Sequence, residues 1–197
     1  NKSKCDCPKH KSMRTNVKTI NFGLAYGMGP HKLADTLNIS MQDAKDLIKV
    51  YFAAFPAIGG FLNKLGGFGK RFGYIKTFPP YNRKRWFDKW YDKIWNHRSA
   101  SMELGSIERA SKNTPIQGAS ADMTKCALVL MNNYIRDNRI PVKLVMTVHD
   151  QIDTICKANY ADEWKIKMTE LMEEAAQVIV TNGLLKADTH ISETWQK

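Results

Sequence analysis

Arg14, Lys18, Phe22 and Tyr26 recur at every fourth residue near the start of the chain, two cations followed by two aromatics. On a helix this spacing gathers all four on one side, where a guanidinium and an ammonium one turn apart can hold phosphate oxygens by charge-assisted hydrogen bonds. Met13, Val17, Ile20 and Leu24 fall within about 60° of one another on the same wheel, and the cationic-aromatic stripe is centred about 150° from them. The first set is expected to face a core and the second to face away from it. Arg109, Asn113 and Gln117 also recur at spacing four, and could line one polar face across a joint between two helices. His149, Asp150 and Gln151 lie between two apolar, β-branched runs, which places Asp150 at the tip of a hairpin. A carboxylate there can hold a hard cation, although Asp is also common in turns.

From Lys70 to Arg98 the chain mixes Lys70, Arg71, Lys76, Arg83, Lys84, Arg85, Lys89, Lys93 and Arg98 with Phe72, Tyr74, Phe78, Tyr81, Trp86, Trp90 and Trp95. Base stacking combined with phosphate neutralisation needs such a mixture. The competing reading is that half of these aromatics pack inward and the cations are simply solvated. Cys5, Cys7 and His10 suggest a metal clip, but a structural zinc site takes four ligands and no fourth stands nearby, so an exposed polar lead-in is the simpler reading.

Caps and periodicity mark the helices and strands that carry these groups. A helix is expected from about Ser12 to Tyr26, stopped by Gly27-Met28-Gly29-Pro30. Ser40 looks like the N-cap of a second helix through Phe55, with Asp43 in the capping-box position and Leu47, Val50, Tyr51 and Ala54 on one side. The glycines between Gly59 and Gly73 predict a loose connection. Thr114-Pro115 predicts the fresh start of a helix whose apolar side holds Ile116, Met123, Ala127, Leu130, Met131 and Tyr134, as far as about Asp137. Val142 to Val148 and Ile152 to Cys156 read as paired strands. An amphipathic helix follows from Trp164 to Val180, closed by Asn182-Gly183, and Leu184 to Ile191 reads as a final strand.

The bulk properties restrict the function classes. The chain has 197 residues, 43% of them apolar, and 30 Lys and Arg against 19 Asp and Glu give a formal charge of +11. That excess favours a polyanionic partner through counterion release. No apolar run approaches the roughly 20 residues that span a bilayer, and Asn1 to His10 is not signal-like, so a soluble protein without membrane attachment is expected. Four scattered cysteines do not make a disulfide framework and fit a reducing compartment.

From about Arg14 to the C-terminus the sequence resembles the family A DNA polymerases, the bacterial DNA polymerase I type. RTNVKTINFGLAYG matches the Arg-x3-Lys-x3-Phe-x3-Tyr-Gly pattern of that family's fingers helix. ERASKNTPIQGASADM is similar to its Arg, Asn and Gln stretch before the palm helix, VMTVHDQI to its His-Asp-Glu hairpin, and Trp195 to a residue near its chain end. The resemblance implies an α+β fold made of the helical fingers of a right-hand polymerase, residues 1–105, and the C-terminal part of the palm, residues 106–197, an antiparallel hairpin with packing helices. It implies template-directed DNA synthesis, with deoxynucleotides transferred to a primer 3′ end by two-metal chemistry.

Under that resemblance Arg14 and Lys18 grip the triphosphate, and Lys18 also supplies charge or a proton to the departing pyrophosphate. Phe22 packs against sugar and base, and Tyr26 occupies the template side until a correct pair displaces it. Asp150 is the Mg²⁺ ligand and His149 helps place the primer end. Arg109, Asn113, Gln117 and Gln151 are the DNA contacts. The implied partners are primer-template DNA and deoxynucleoside triphosphates, in the cytoplasm of a bacterial or phage-infected cell.

The sequence departs from the family pattern in two places. Gln151 stands where the family has Glu, removing a carboxylate next to Asp150. The family's other metal-binding Asp belongs upstream of the fingers helix, and Asp6 has neither the context nor the position to replace it. That Asp, with the rest of the palm and the thumb, is expected on a segment outside this chain or on a second polypeptide. Two other readings remain. A single-subunit RNA polymerase shares the Arg, Lys and Tyr-Gly pattern and a His-Asp without the Glu, but Phe22-Gly23 fits the DNA enzymes better than the Met-Thr of the RNA enzymes. A non-catalytic nucleic-acid-binding module is the other.

Overall fold

The computed structural model describes residues 7–88, 100–183 and 185–195. The chain divides into two compact units, Asn1–Lys76 with Lys84–Pro115, and Thr77–Arg83 with Ile116–Lys197. Cys5, the residues from Lys89 to Arg98 and Leu184, which entered the sequence reading, lie outside the described residues.

The first unit opens with three helices, α1 (Pro8–Ala25), α2 (Pro30–Leu37) and α3 (Met41–Ala54). α1 and α2 each begin on a proline, whose missing N–H is one the first turn leaves unpaired anyway. α1 stops in a Schellman motif. Gly27 takes φ 75°, its N–H bonds the Leu24 carbonyl at 3.1 Å and the Met28 N–H bonds that of Gly23 at 2.8 Å. A Cβ on Gly23 would lie 2.6 Å from the Met28 methyl carbon, so the glycine leaves room for the Met28 side chain to fold back over the helix end. Ser40 caps α3 as its sequence predicts, accepting from the Asp43 N–H at 3.0 Å and donating to the Asp43 carboxylate at 2.7 Å.

Leu33, Ala34 and Ala44 form the small core of these helices, with Ile20, Met28, Leu37, Leu47 and Ile48 packed against it. The predicted apolar stripe of α1 is only half used. Leu24 is buried and Ile20 partly so, whereas Met13 and Val17 are each 56% exposed, because α2 and α3 cover the end of α1 and not its first turns. Val50 and Ala54 likewise face solvent, the inner side of α3 being formed by Ala44, Leu47, Ile48 and Tyr51.

The expected loose connection is in fact a helix, α4 (Pro56–Phe72). Its glycines serve packing. A Cβ on Gly66 would stand 2.7 Å from the Glu108 Cγ, and one on Gly69 2.7 Å from the Ser111 Cβ, so both permit a close approach to α5 (Ala100–Asn138). Pairing of the approach side with α5 residues outweighs glycine's poor propensity, worth about 1 kcal/mol per residue. Next come two short antiparallel strands absent from the sequence reading, β1 (Tyr74–Lys76) and β2 (Lys84–Trp86), in register Tyr74 with Trp86, Ile75 with Arg85 and Lys76 with Lys84.

Pro115 does not start a new helix but sits inside α5. As a proline it leaves only the carbonyl one turn back, that of Ser111, without its N–H partner, and Thr114 Oγ1 bonds the neighbouring Ala110 carbonyl at 2.7 Å. The apolar side predicted beyond it stands. In the second unit Ala127 and Met131 of α5 pack with Val142 of β3 (Val142–Val148), Ile152 of β4 (Gln151–Cys156), and Trp164, Met168, Leu171 and Ala175 of α6 (Ala161–Gln177). Trp164 Nε1 donates to Thr154 Oγ1 at 2.8 Å, which satisfies the indole as it is buried.

The β3–β4 pairing has one irregularity. Leu144 opposes Thr154 and Met146 opposes Asp153, leaving Val145 as an extra residue, a β-bulge. The predicted final strand is not formed, for residues 185–191 have no regular secondary structure. Side chains of α6 hold this segment in place of a ladder. Glu173 accepts from Lys186 Nζ at 2.9 Å and from the Ala187 N–H at 3.3 Å, and the Thr169 and Thr189 hydroxyls are 2.8 Å apart.

Candidate functional site

Arg14, Lys18 and Phe22 lie exposed along α1, with Tyr26 half-buried at its C-cap. Lys18 Nζ is 5.8 Å from the centre of the Phe22 ring, and the Phe22 and Tyr26 rings are 6.1 Å apart, so cation and rings form a continuous row. α1 has no acidic residue to neutralise it. A shallow groove of about 460 Å³ runs beside the row, lined by Met13, Arg14, Val17, Lys18, Asn21 and Phe22. Cationic and apolar groups therefore share one open surface, which suits a ligand with both phosphate and ring parts.

Arg109 joins this end of α1. A Cβ on Gly27 would lie 3.1 Å from the Arg109 Cγ, so the positive-φ glycine next to Tyr26 also makes room for the Arg109 stem. One turn on, Asn113 is half-buried, and its Oδ1, closed off from solvent, has no hydrogen-bond partner among the described residues. Gln117 is exposed and belongs to the second unit. Glu108, between Arg109 and α4, accepts from Lys112 Nζ at 2.7 Å and Lys70 Nζ at 2.6 Å. Hydrogen bonds from Lys112 and then Lys70 lower its pKa to about 2.

In the second unit His149 and Asp150 form the two-residue turn of the β3–β4 hairpin, and both are exposed. Gln151 is not a turn residue but the first residue of β4, opposite Val148. His149 takes φ 57°, the left-handed conformation a tight hairpin turn demands, and the Thr124 hydroxyl reaches its carbonyl at 3.5 Å. The Gln151 amide is engaged, donating to Asp153 Oδ1 at 2.8 Å, while Trp195 Nε1 donates to Asp153 Oδ2 at 3.3 Å. A Glu at 151 would repel Asp153, so the amide is the side chain that this pairing accepts.

Asp153 was missed by sequence reasoning, and so were two others. Asp122 is 3% exposed and meets Arg83 Nη2 at 2.7 Å, and its Oδ2 has no hydrogen-bond partner among the described residues. A signal for it existed, since Asp122 falls in phase with Ser111, Pro115, Ala119 and Cys126 on one side of α5. The segment Thr77–Arg83, which carries Arg83, also brings Tyr81 to Cys126, whose hydrogen bond holds the Tyr81 phenol above its ordinary pKa. Among the described residues no group of three His, Cys, Asp or Glu side chains could hold a metal ion, and no helix is long and apolar enough to cross a membrane.

Comparison with known proteins gives this arrangement its context. DNA polymerase I of Geobacillus stearothermophilus is 32% identical over 184 residues, 93% of this chain and 20% of that protein. DNA polymerase I of Lactococcus lactis is 31% identical over 182 residues, 92% of this chain and 20% of the relative. The chain thus spans about one fifth of the length of these relatives. Among solved structures, the polymerase domain of Pol1 from M. smegmatis, in complex with DNA primer-template and dNTP, matches with a TM-score of 0.72 and 28% identity over 85% of this chain and 28% of that one. The fold, helices with small antiparallel hairpins, is that of part of a polymerase fingers and palm. The sequence profile of DNA polymerase family A matches residues 5–197, and the chain belongs to that family.

Proposed function

We propose that this chain is the nucleotide-holding and C-terminal catalytic part of a template-directed DNA polymerase. The observation that carries this reading is the exposed row of Arg14, Lys18, Phe22 and Tyr26 on acid-free α1, with Lys18 over the Phe22 ring. Arg14 and Lys18 bind the phosphates of an incoming deoxynucleoside triphosphate, and Lys18 offsets charge on the departing pyrophosphate. Phe22 packs on the sugar and base, and Tyr26 closes the template side. Residues 1–105 act as fingers and residues 106–197 as palm. Arg109, Asn113, Gln117 and Gln151 contact primer-template DNA, and His149 positions the primer end.

Asp150 offers one hard oxygen ligand at an exposed turn, but the described residues do not by themselves make a Mg²⁺ site. When bound, Mg²⁺ in this enzyme class activates the attacking hydroxyl and stabilises the developing phosphate charge. We assign the remaining carboxylate to a segment outside this span, on the same or a second polypeptide that also carries the rest of the palm and the thumb, acting in the cytoplasm. The relatives named DNA polymerase I support deoxynucleotide rather than ribonucleotide use.

The test is primer extension by a complete enzyme containing this span, comparing deoxynucleotides with ribonucleotides. Asp150→Ala should reduce extension by about 10³-fold and Lys18→Ala by about 10²-fold. Efficient ribonucleotide use, or an Asp150→Ala enzyme as active as its parent, overturns the proposal.

A further inference from the structure

Strand β4 carries two polar side chains on the face turned away from its core. Ile152 is buried and Thr154 accepts from the Trp164 indole, so residues of that parity face α6, and Gln151, Asp153 and Ile155 share the other side. Gln151 and Asp153 are therefore neighbours by strand geometry alone. Gln151 Nε2 donates to Asp153 Oδ1 at 2.8 Å, and Trp195 Nε1, from 42 residues further along the chain, donates to Asp153 Oδ2 at 3.3 Å. Both oxygens of one half-buried carboxylate are thus engaged by neutral N–H donors. The pairing also decides what the shape of the amide leaves open. The two ends of a glutamine amide have the same form, but an ionised carboxylate only accepts, so the nitrogen faces Asp153 and the oxygen is the end directed away from it. A hydrogen bond to a charged acceptor, about twice as strong as a neutral one, holds that orientation.

We propose that Asp153 is a positioning residue for the primer end: it holds the Gln151 amide by its nitrogen, so that Gln151 meets primer-template DNA as a hydrogen-bond acceptor. This rests on the polymerase reading above, in which Gln151 touches DNA and the adjoining His149-Asp150 turn lies at the primer terminus. Phosphates and ring oxygens of DNA only accept. The donors that a terminal pair offers are the primer's 3′-hydroxyl and the base amino groups, of which guanine's is the one in the minor groove. An amide at liberty to turn would instead offer its NH₂ to phosphates and to the N3 and O2 acceptors that every pair shows. Asp153 thus converts a side chain that binds DNA at many points into one that recognises a donor. A glutamate at 151 would accept as well, but beside Asp153 the two carboxylates would repel each other.

The test is equilibrium binding of primer-template DNA to a complete enzyme containing this span, with divalent metal and nucleotide withheld so that the primer is not extended. The primers differ only at the terminus: deoxyguanosine with its 3′-hydroxyl, its 3′-deoxy form, and deoxyinosine, which lacks the 2-amino group. The parent should bind the first about 3- to 10-fold more tightly than the primer that lacks the contacted donor. Loss with the 3′-deoxy primer identifies the hydroxyl, and loss with deoxyinosine the amino group. Asp153→Ala and Gln151→Leu should each abolish the preference, the second change adding nothing to the first. Trp195→Phe, which releases the chain end but keeps the Gln151 bond, should preserve it. Gln151→Glu combined with Asp153→Asn, which reverses donor and acceptor, should restore it. A parent without any preference overturns the proposal, as does a preference that survives Asp153→Ala. So does an equal loss for all primers in Asp153→Ala, which marks Asp153 as an anchor for the chain end only. Extension by the parent, measured separately with metal and deoxynucleotides, keeps the two readings apart. A parent that extends without the preference sinks the role of Asp153 alone, and one that shows the preference without extending sinks the enzymatic reading alone.

Discussion

Arg83 Nη2 lies 2.7 Å from Asp122 Oδ1, joining a guanidinium that is 47% exposed to a carboxylate that is 3% exposed. The pair fastens the loop from Thr77 to Arg83 onto α5, assisted by the Arg83 N–H on Thr77 Oγ1 at 3.0 Å. Removing the arginine strands a buried charge, whereas neutralising the aspartate frees an arginine that water can reach. Arg83→Ala should therefore destabilise by about 3 kcal/mol and Asp122→Asn by about 1 kcal/mol. Urea midpoints at constant m-value would show this, and equal losses would contradict it.

Gly67 and Gly69 are two residues apart on α4 but differ in surroundings. A Cβ on Gly67 meets nothing within 4 Å, while one on Gly69 meets Ser111 and, at 3.3 Å, the Phe87 ring. Gly67→Ala should stabilise by about 0.5 to 1 kcal/mol through helix propensity. Gly69→Ala should destabilise by about 1 to 3 kcal/mol through overpacking. Thermal melts of the two variants, moving in opposite directions, are the expected result.

Glu108 ties α4 to α5 through Lys70 and Lys112, and its pKa falls from the usual 4.5 to about 2. A depressed carboxylate contributes stability that is present above the unfolded value and lost as pH falls through the folded one. The side chain is 32% exposed, so solvent screening leaves a contribution on the order of 1 kcal/mol. The stability advantage of the parent over Glu108→Gln should hold at neutral pH and shrink between about pH 4.5 and pH 2. Denaturant titrations across that window measure it, and a constant gap would refute the assignment.

His149 combines a left-handed φ of 57° with a proposed role at the primer end. Glycine adopts that conformation without steric penalty, so His149→Gly should leave stability unchanged or raised, within about 1 kcal/mol. Extension by the complete enzyme should still fall by about 10-fold or more, because the imidazole is gone. A variant that is both stable and fully active would reduce His149 to a turn former.

Local signals were legible in the sequence where one short-range interaction decides the outcome. Ser40 with Asp43, the Gly27 stop, and the Trp164, Met168, Leu171 and Ala175 stripe all behave as their neighbours in sequence dictate. Readings failed where the partner is distant. Gly66 and Gly69 suggest flexibility until Glu108 and Ser111 of another helix are seen against them. Residues 185–191 suggest a strand until Glu173 and Thr169 are seen holding them. The α1 row was legible because helical periodicity alone collects it, and Asp122 was passed over although its phase on α5 marked it as buried.

The extra residue at Val145 acts on everything beyond it as a half rotation. Strand side chains alternate strictly, so one inserted residue exchanges inside and outside for the remainder of β3. Leu144 faces the core, yet Met146 and Val148, on the same parity, look outward, which is why two apolar residues border the His149-Asp150 turn in the open. Were Val145 to take an ordinary place in the ladder instead of bulging from it, Met146 and Val148 would turn inside and Thr147 out. The carboxylate at the tip would then be aimed by a strand of opposite phase, so a single aliphatic side chain several residues away governs the direction in which Asp150 is presented.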